Sequence, residues 1–584
     1  MKENATNKDK RVIVEVAMEI SLTPKILDTI AEEISFYGAI SSGMSTSVGG
    51  IGPLLRERII AQADEGADVI GVTLLYEKVW LQRWHAWGQF YLDKVKAGEY
   101  IARTLKKLPD DLTIKMFDGT DVTCAVWKAT YGKAKVYFLD QADVGMIVYP
   151  GGFDAPPDTQ YPDQWANTMR LKQSWLLGRG SLALLEKLNV SPDITILSET
   201  PTIFAKHDLV KDAYSESSRF AKTKYIFNDH TPLEYAHPVW TQENLEMLKF
   251  NPKMYKKLDS YKNNPQKIDI TQMIIDVSDG VYGVSKIHGD VMRQMPTLQK
   301  YADKIETITN GVSSAIWQAK AFKGYKNLSD DQLLAVKEEE KHLFVNWLWL
   351  RYKFDSQWRE DKKKRPIIMW MRRVTGYKRL DLLREIVQND LWRKRFIDLD
   401  ICMIVGGRIH QQDTLSDRLV FELLDVIQKY PELEGRVIIL DNFNIWEAPK
   451  IFPGIDAAIM ISDRGKEAAA TGFMKAQMNG AMIIATPDGA VPESVNYYDP
   501  DDTQKNANGF EVTYFDDSPT PESLLHALTE FKFVYDDQSL RASFIKNALA
   551  QHNKIDVRKV AKEMLEFCDK VIDRKSDTKV HLVH

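Results

Sequence analysis

The chain has 584 residues, of which 44% are hydrophobic and 27% charged, and a formal net charge of -5. That length exceeds what one core organises, so two or more domains are expected. The balanced charge gives no basic footprint for nucleic acid or an anionic membrane, no apolar run is long enough to cross a bilayer, and three scattered cysteines, Cys124, Cys402 and Cys568, suit neither a disulfide framework nor a thiolate zinc site.

In chain order, MKENATNKDKRVIVEVAMEI passes from a polar tail into a strand over 11–20 without a signal peptide's apolar core, so a cytoplasmic setting is expected. The next segment, TPKILDTIAEEISFYG, predicts a helix with Thr23 as N-cap, Pro24 at its first position and apolar residues at 26, 27, 30 and 34. SVGGIGPLLRER then places Gly49, Gly50 and Gly52 before a helix that starts at Pro53. Glycines there let a phosphate approach the backbone, but a tight turn explains them equally, and the spacing is not that of a dinucleotide loop. Short apolar strands follow: DVIGVTLLY, KVYFLD, ITILSE, KYIFND and GVYGVS. After a charged helical stretch over 328–366 come PIIMWMRR, DICMIVGG, RVIILDN, DAAIMIS and AMIIATPDG. Continuous β-branched runs separated by helices call for parallel sheets covered on both faces. The expected class is α/β, with two doubly wound domains whose strand ends and helix N-termini face one cleft, an arrangement suited to phosphates.

Three pieces could line that cleft. RRVTGYKR sets Arg372, Arg373, Lys378 and Arg379 directly after a buried strand, where they either point into the cleft or form a solvated basic turn. Ala470-Thr471-Gly472 opens a helix that Gly480 closes. That helix carries Lys475, a lysine among Ala, Phe and Met in KEAAATGFMKAQMNG. A buried ammonium is costly, so Lys475 either snorkels to water or is kept neutral for Schiff-base chemistry with a carbonyl cofactor. His230 and His237 form too small a set for a metal, and no metal site is expected.

EAAATGFMKAQMNGA resembles the pyridoxal-phosphate segment of the glycogen and α-glucan phosphorylases, E-A-S-G-T-x-x-M-K-x-x-x-N-G, matching at Glu467, Thr471, Met474, Lys475, Asn479 and Gly480. MRRVTGYKRLDLL resembles that family's phosphate-binding segment in its short form, and ITNGVSSAIW its interdomain segment through Thr309, Asn310, Gly311 and Trp317. GVSKIHGDVM, VGGIG, NTMRLKQSWLLGRG and GVTLLY have counterparts in the same order over roughly residues 12–570. The resemblance implies the GT-B architecture: a Rossmann-like domain over 1–311, a second over 312–574 whose last helix packs back on the first, and a tail over 575–584. It implies pyridoxal 5'-phosphate on Lys475, with Arg372, Thr471 and Gly472 on the cofactor phosphate and Trp317 packed against the cofactor. Arg373 and Lys378 would hold the substrate phosphate, Gly50 (beside Gly49) would donate its N–H to it, and Asn310 and Glu467 would bind sugar hydroxyls. The implied activity is reversible phosphorolysis of an α-glucan by inorganic phosphate, giving glucose 1-phosphate with retained configuration, in a cytoplasmic homodimer.

Departures gather on the sugar side. Ala469-Ala470 replaces the family's Ser-Gly, Ser198-Glu199-Thr200-Pro201 lacks the histidine expected near the sugar, and PLLRER replaces an L-A-x-D stretch. Changed sugar contacts predict altered sugar or acceptor specificity. The nearest alternative is a nucleotide-sugar-dependent retaining transferase of the same architecture, which would place a glutamate rather than Lys475 eight residues after Glu467. A more distant one is a silent carbohydrate-binding homologue.

Overall fold

Two sheets built from these β-branched runs organise the molecule. The computed structural model describes residues 10–23, 50–84, 90–210, 218–231, 239–241, 262–264, 267–352, 356–409, 413–440, 443, 447–502 and 506–574. The helix expected over 24–38, together with Gly49, His237 and both terminal tails, lies outside them.

The first sheet contains β1 (Val12–Ala17), β2 (Asp68–Leu74), β3 (Ala134–Asp140), β4 (Ile194–Ser198), β5 (Lys224–Asp229), β6 (Gly280–Gly283) and β7 (Ile305–Thr307). They are all parallel and lie in the spatial order β7-β6-β5-β4-β1-β2-β3. The antiparallel strand Asp121–Tyr131 extends this sheet beyond β3. In the second sheet, β8 (Ile367–Met371), β9 (Cys402–Gly406), β10 (Val437–Leu440), β11 (Ala457–Met460), β12 (Met482–Ala485) and β13 (Gly509–Glu511) run parallel in the order β10-β9-β8-β11-β12-β13. Each sheet reverses its direction of growth once, between β1 and β4 and between β8 and β11. At such a reversal the connections leave on opposite sides and open a crevice at the strand carboxyl ends. Arg372 follows β8, and the loop leading to Glu467 follows β11.

The described helices include α1 (Ile51–Asp64), α2 (Pro162–Lys187), α3 (Asp330–Tyr352), α4 (Thr471–Gln477) and α5 (Val557–Asp573). α1 starts at Ile51 with Gly50 as its N-cap, so Gly52 lies inside the helix and Pro53 is its third residue rather than its start. It also carries three successive charged residues that are almost fully buried, Arg56 (1% exposed), Glu57 (2%) and Arg58 (1%). Arg58 reaches the sheet interior, donating to Glu15 Oε1 at 2.5 Å, Tyr282 Oη at 2.5 Å and Ser198 Oγ at 3.1 Å. A buried guanidinium needs that set, because an unpaired charge there costs several kcal/mol.

α5 follows the second sheet in sequence yet packs on α1 and the first sheet. Its Phe567 meets Tyr282 edge-on with ring centroids 6.0 Å apart. Gly280 has no room for a side chain, since a Cβ there would stand 2.9 Å from Phe567 Cζ and Val571 Cγ2. The hairpin Lys78–Trp84 with Phe90–Lys96, not foreseen from the sequence, crosses between the two halves. Its Gln82 side chain donates to Gly407 O at 3.0 Å and accepts from Ile409 N at 3.0 Å, which ties it to the loop after β9.

Candidate active site

The crevice at the end of β8 begins with Arg372, whose position depends on a glycine. A Cβ at Gly407 would fall 1.8 Å from Arg372 O, so only glycine lets the loop after β9 pass. The buried Arg372 guanidinium donates to Ile461 O and pairs with the Glu467 carboxylate. A 3-10 turn over Gly376–Lys378 brings Lys378 back to the same carboxylate, with Nζ 3.4 Å from Glu467 Oε2. Burial alone would raise the Glu467 pKa, but Arg372 and Lys378 outweigh it and hold it below the usual carboxylate value. Burial pulls Lys378 down to about 7 against the pull of Glu467, helped by Arg372 and Arg373. Arg373 is exposed and its charge bears on both. Of the four cations, for which a cleft-facing and a solvated arrangement were both open, Arg379 turns away from Glu467 to Asp381 at 2.9 Å and Asp463 at 3.0 Å, where a left-handed φ of 56° at this residue redirects the chain.

Glu467 is held by its backbone. Asp488, in the loop after β12, accepts from Ser462 Oγ at 2.9 Å, Lys466 N at 3.1 Å and Glu467 N at 3.0 Å. One carboxylate thereby fixes the loop from β11 toward α4, and a preorganised loop loses little entropy when a ligand is gripped.

α4 opens at Ala470, which adopts φ 61°, ψ 49° in the left-handed region. A non-glycine residue there is strained by about 1 kcal/mol or more. Ala470→Gly is therefore expected to stabilise the fold by up to about 1 kcal/mol after the entropy cost of glycine is subtracted, read as a higher midpoint in denaturant. Gly472 lies against the end of β8 and β11: a Cβ there would be 2.8 Å from Met460 Cε and 3.7 Å from Met371 O. The start of α4 thus abuts the strand that delivers the cations.

One turn on, the partly buried Lys475 places Nζ 4.0 Å from the centroid of the Trp317 ring. Burial lowers its pKa to about 8, with Glu57 opposing that shift and Arg56 adding to it. Asn479 locks the two segments together, donating to Trp317 O at 2.7 Å and Lys475 O at 2.8 Å and accepting from Ala319 N at 2.9 Å. Lys337 of α3 donates to Asn479 O at 2.8 Å and Pro453 O at 3.0 Å, closing the helix end.

From the ends of the first sheet, Ser285 after β6 donates to Ala468 O, and Thr309 Oγ1 after β7 donates to Glu493 Oε2 at 2.7 Å. Asn310 is buried beside this contact, its N–H on Val284 O at 3.0 Å. Gly50 is open, with nothing within 4 Å of where a Cβ would stand.

The structure thus gathers Arg372, Lys378 and Glu467 by direct contact, with the charge of Arg373 beside them, and joins Lys475 to Trp317 separately. Thr471 and Gly472 lie between the two groups. Glu57, Asp488 and Lys337 were not singled out from the sequence; the three consecutive charges of PLLRER in an otherwise apolar helix were the only signal for Glu57. His230 is partly buried just past β5, its N–H donating to Glu199 Oε1 at 3.0 Å and its ring pushed down to about 3 by burial and by Arg58. Among the described residues no group of three or more His, Cys, Asp or Glu side chains could hold a metal ion, and no helix is long and apolar enough to cross a membrane.

Comparison with known proteins gives two family matches: one described as carbohydrate phosphorylase over residues 332–503, the other as starch synthase catalytic domain over residues 39–321. Maltodextrin phosphorylase of Thermococcus litoralis is 24% identical over 87% of this chain, which spans 65% of that protein's length. Glycogen phosphorylase of Aquifex aeolicus is 24% identical over 77% of this chain and 72% of its own. An uncharacterized protein of Methanocaldococcus jannaschii is 23% identical over 90% of this chain and 97% of its own. Among solved structures, the catalytic domain of starch synthase IV from Arabidopsis thaliana, bound to ADP and acarbose, superposes with a TM-score of 0.69 at 18% identity, covering 97% of this chain and all of that one. The architecture is accordingly GT-B.

Proposed function

We propose, from the similarity of this chain to carbohydrate phosphorylases and from its GT-B scaffold, that it is a retaining α-glucan phosphorylase dependent on pyridoxal 5'-phosphate. The observation that carries the reading is Lys475, an amine whose Nζ is set 4.0 Å from the centroid of an indole ring and whose pKa burial lowers to about 8, on a helix whose start lies against the end of β8, the strand that Arg372 follows. These residues fit a planar carbonyl cofactor with a phosphate arm: a reactive amine, an aromatic wall and a cationic strand end.

Lys475 would anchor the cofactor, Trp317 would pack on it, and Arg372, Thr471 and Gly472 would hold its phosphate. When bound, that phosphate supplies the group that exchanges a proton with the substrate phosphate. Lys378 and Arg373 would hold the substrate phosphate opposite the open backbone of Gly50. Glu467, kept ionised by its cations, would accept from sugar hydroxyls, and Asn310 would complete the sugar side. Fixed cations and amides would stabilise charge on phosphate and on an oxocarbenium-like sugar without reorganising. A short, apolar Ala469 and Ala470 beside Glu467 support altered sugar or acceptor contacts.

The starch synthase match over residues 39–321 favours a second reading, a transferase using a nucleotide sugar. Incubation with maltodextrins or other α-linked oligosaccharides and inorganic phosphate is expected to release a sugar 1-phosphate, while ADP-glucose and UDP-glucose are left intact. Consumption of a nucleotide sugar without phosphorolysis would reverse the assignment.

A further inference from the structure

The three buried charges of α1 are not absorbed by the chemistry above, and their partners point in three directions. Arg58 is consumed by Glu15, Ser198 and Tyr282 inside the first sheet. Arg56 donates to Leu22 O at 2.9 Å. Glu57 faces the other domain segment: Oε1 accepts from Trp317 Nε1 at 2.8 Å and Oε2 from Ser313 N at 2.6 Å. Both bonds come from N–H donors, so both oxygens act as acceptors and these bonds favour the ionised acid, as do Arg56 and Lys475, while burial outweighs them and raises the Glu57 pKa above the usual carboxylate value. The indole that grips Glu57 by its N–H is the same indole whose face lies 4.0 Å from Lys475 Nζ.

We propose that Glu57 is the positioning residue for Lys475: its carboxylate, fixed by Trp317 and Ser313, supplies the counter-charge that holds the Lys475 ammonium over the indole and sets the pH at which the amine becomes nucleophilic. The other charged groups packed around the pair are Arg56, whose Nη2 is 3.5 Å from Glu57 Oε1, and Lys337, whose Nζ sits on the backbone at the end of α4. Arg56 works against the Lys475 charge, and the direction of the Lys475 shift agrees, with burial lowering it, Glu57 raising it and Arg56 lowering it. The device has a geometric consequence. Gly50 caps α1 and Glu57 lies within it, so the backbone expected to meet substrate phosphate and the carboxylate proposed to govern Lys475 belong to one helix.

The consequence for the cofactor rests on the reading of Lys475 as its anchor, but the charge coupling is measured on the free amine. Full-length protein, treated with hydroxylamine to free any bound carbonyl, is labelled with trace acetic anhydride from pH 6 to 11, and the Lys475 peptide is quantified by mass spectrometry. In the wild-type chain the midpoint is expected near 8. In Glu57→Gln it is expected about one pH unit lower or more, raising labelling at pH 7 several-fold, because a counter-charge has been removed from a buried amine. Glu57→Asp, which keeps the charge, is expected to stay close to wild type. Glu57→Met carries the same expectation as Glu57→Gln and serves if the amide variant melts early. An unchanged midpoint in either folded neutral variant would overturn the proposal, whatever the cofactor result. A lowered midpoint in a chain that takes up no pyridoxal phosphate would uphold the coupling and refute the cofactor reading instead.

Discussion

Lys475→Ala is expected to lower turnover by about 10^3-fold or more while leaving a folded protein. The activity loss follows from the role proposed for the amine: without it the cofactor has no covalent anchor and its phosphate cannot be held in register with Lys378 and Arg373. The survival of the fold follows from the direction of the Lys475 shift. Its pKa falls from 10.5 to about 8 on folding, so the folded state disfavours the ammonium. Between those values the unfolded chain binds more protons than the folded one, and stability rises with pH across that window. Alanine abolishes this slope and removes a costly charge near neutral pH. Melting curves of the cofactor-free proteins from pH 7 to 10 check the stability half, with a flatter pH dependence expected in the variant. Assay of sugar 1-phosphate release checks the other half, and exogenous pyridoxal phosphate is expected to restore little.

Lys378→Met should cost turnover about 10^2-fold, with the loss growing as phosphate is lowered. Lys378 is the cation nearest Glu467 after Arg372, and burial has brought it to about 7. Below pH 7 it is an ammonium and an anion at the β8 end has three positive neighbours; above pH 8 it is mostly neutral and the anion loses one of them. Sulfate, which does not titrate in this range, should therefore bind more weakly as pH rises through 7 to 8. The Met variant should bind it weakly throughout and show little of that pH dependence. Calorimetry across that range separates the two. A wild-type affinity flat from pH 6 to 9 would mean that Lys378 does not titrate at this site.

Much of the architecture was legible because parallel strands buried on both faces must be continuous apolar runs, and β1, β2, β3, β4, β5, β6 and β8 to β12 all appear as such in the sequence. The strand pair Lys78–Trp84 and Phe90–Lys96 was not, because KVWLQRW mixes polar and apolar residues and reads as no continuous apolar run. The cations and Lys475 were legible as motifs. Their assembly was not, since Arg372 meets Glu467 only through the order in which β8 and β11 pair. Glu57 is the sharper case: its partners Ser313 and Trp317 lie 256 and 260 residues on, and no local pattern encodes a contact at that range. Ala470 shows the reverse limit, a residue with good helix propensity placed by its surroundings in a left-handed cap.

The central claim, a carbonyl cofactor on Lys475, is tested most directly by the absorbance spectrum of the purified protein before and after borohydride, followed by mapping of the reduced product. The account predicts a chromophore that borohydride abolishes and a pyridoxyl-phosphate mass fixed on the Lys475 peptide, both missing from Lys475→Ala. A protein with no chromophore and no tagged Lys475, even after incubation with pyridoxal phosphate, would contradict it.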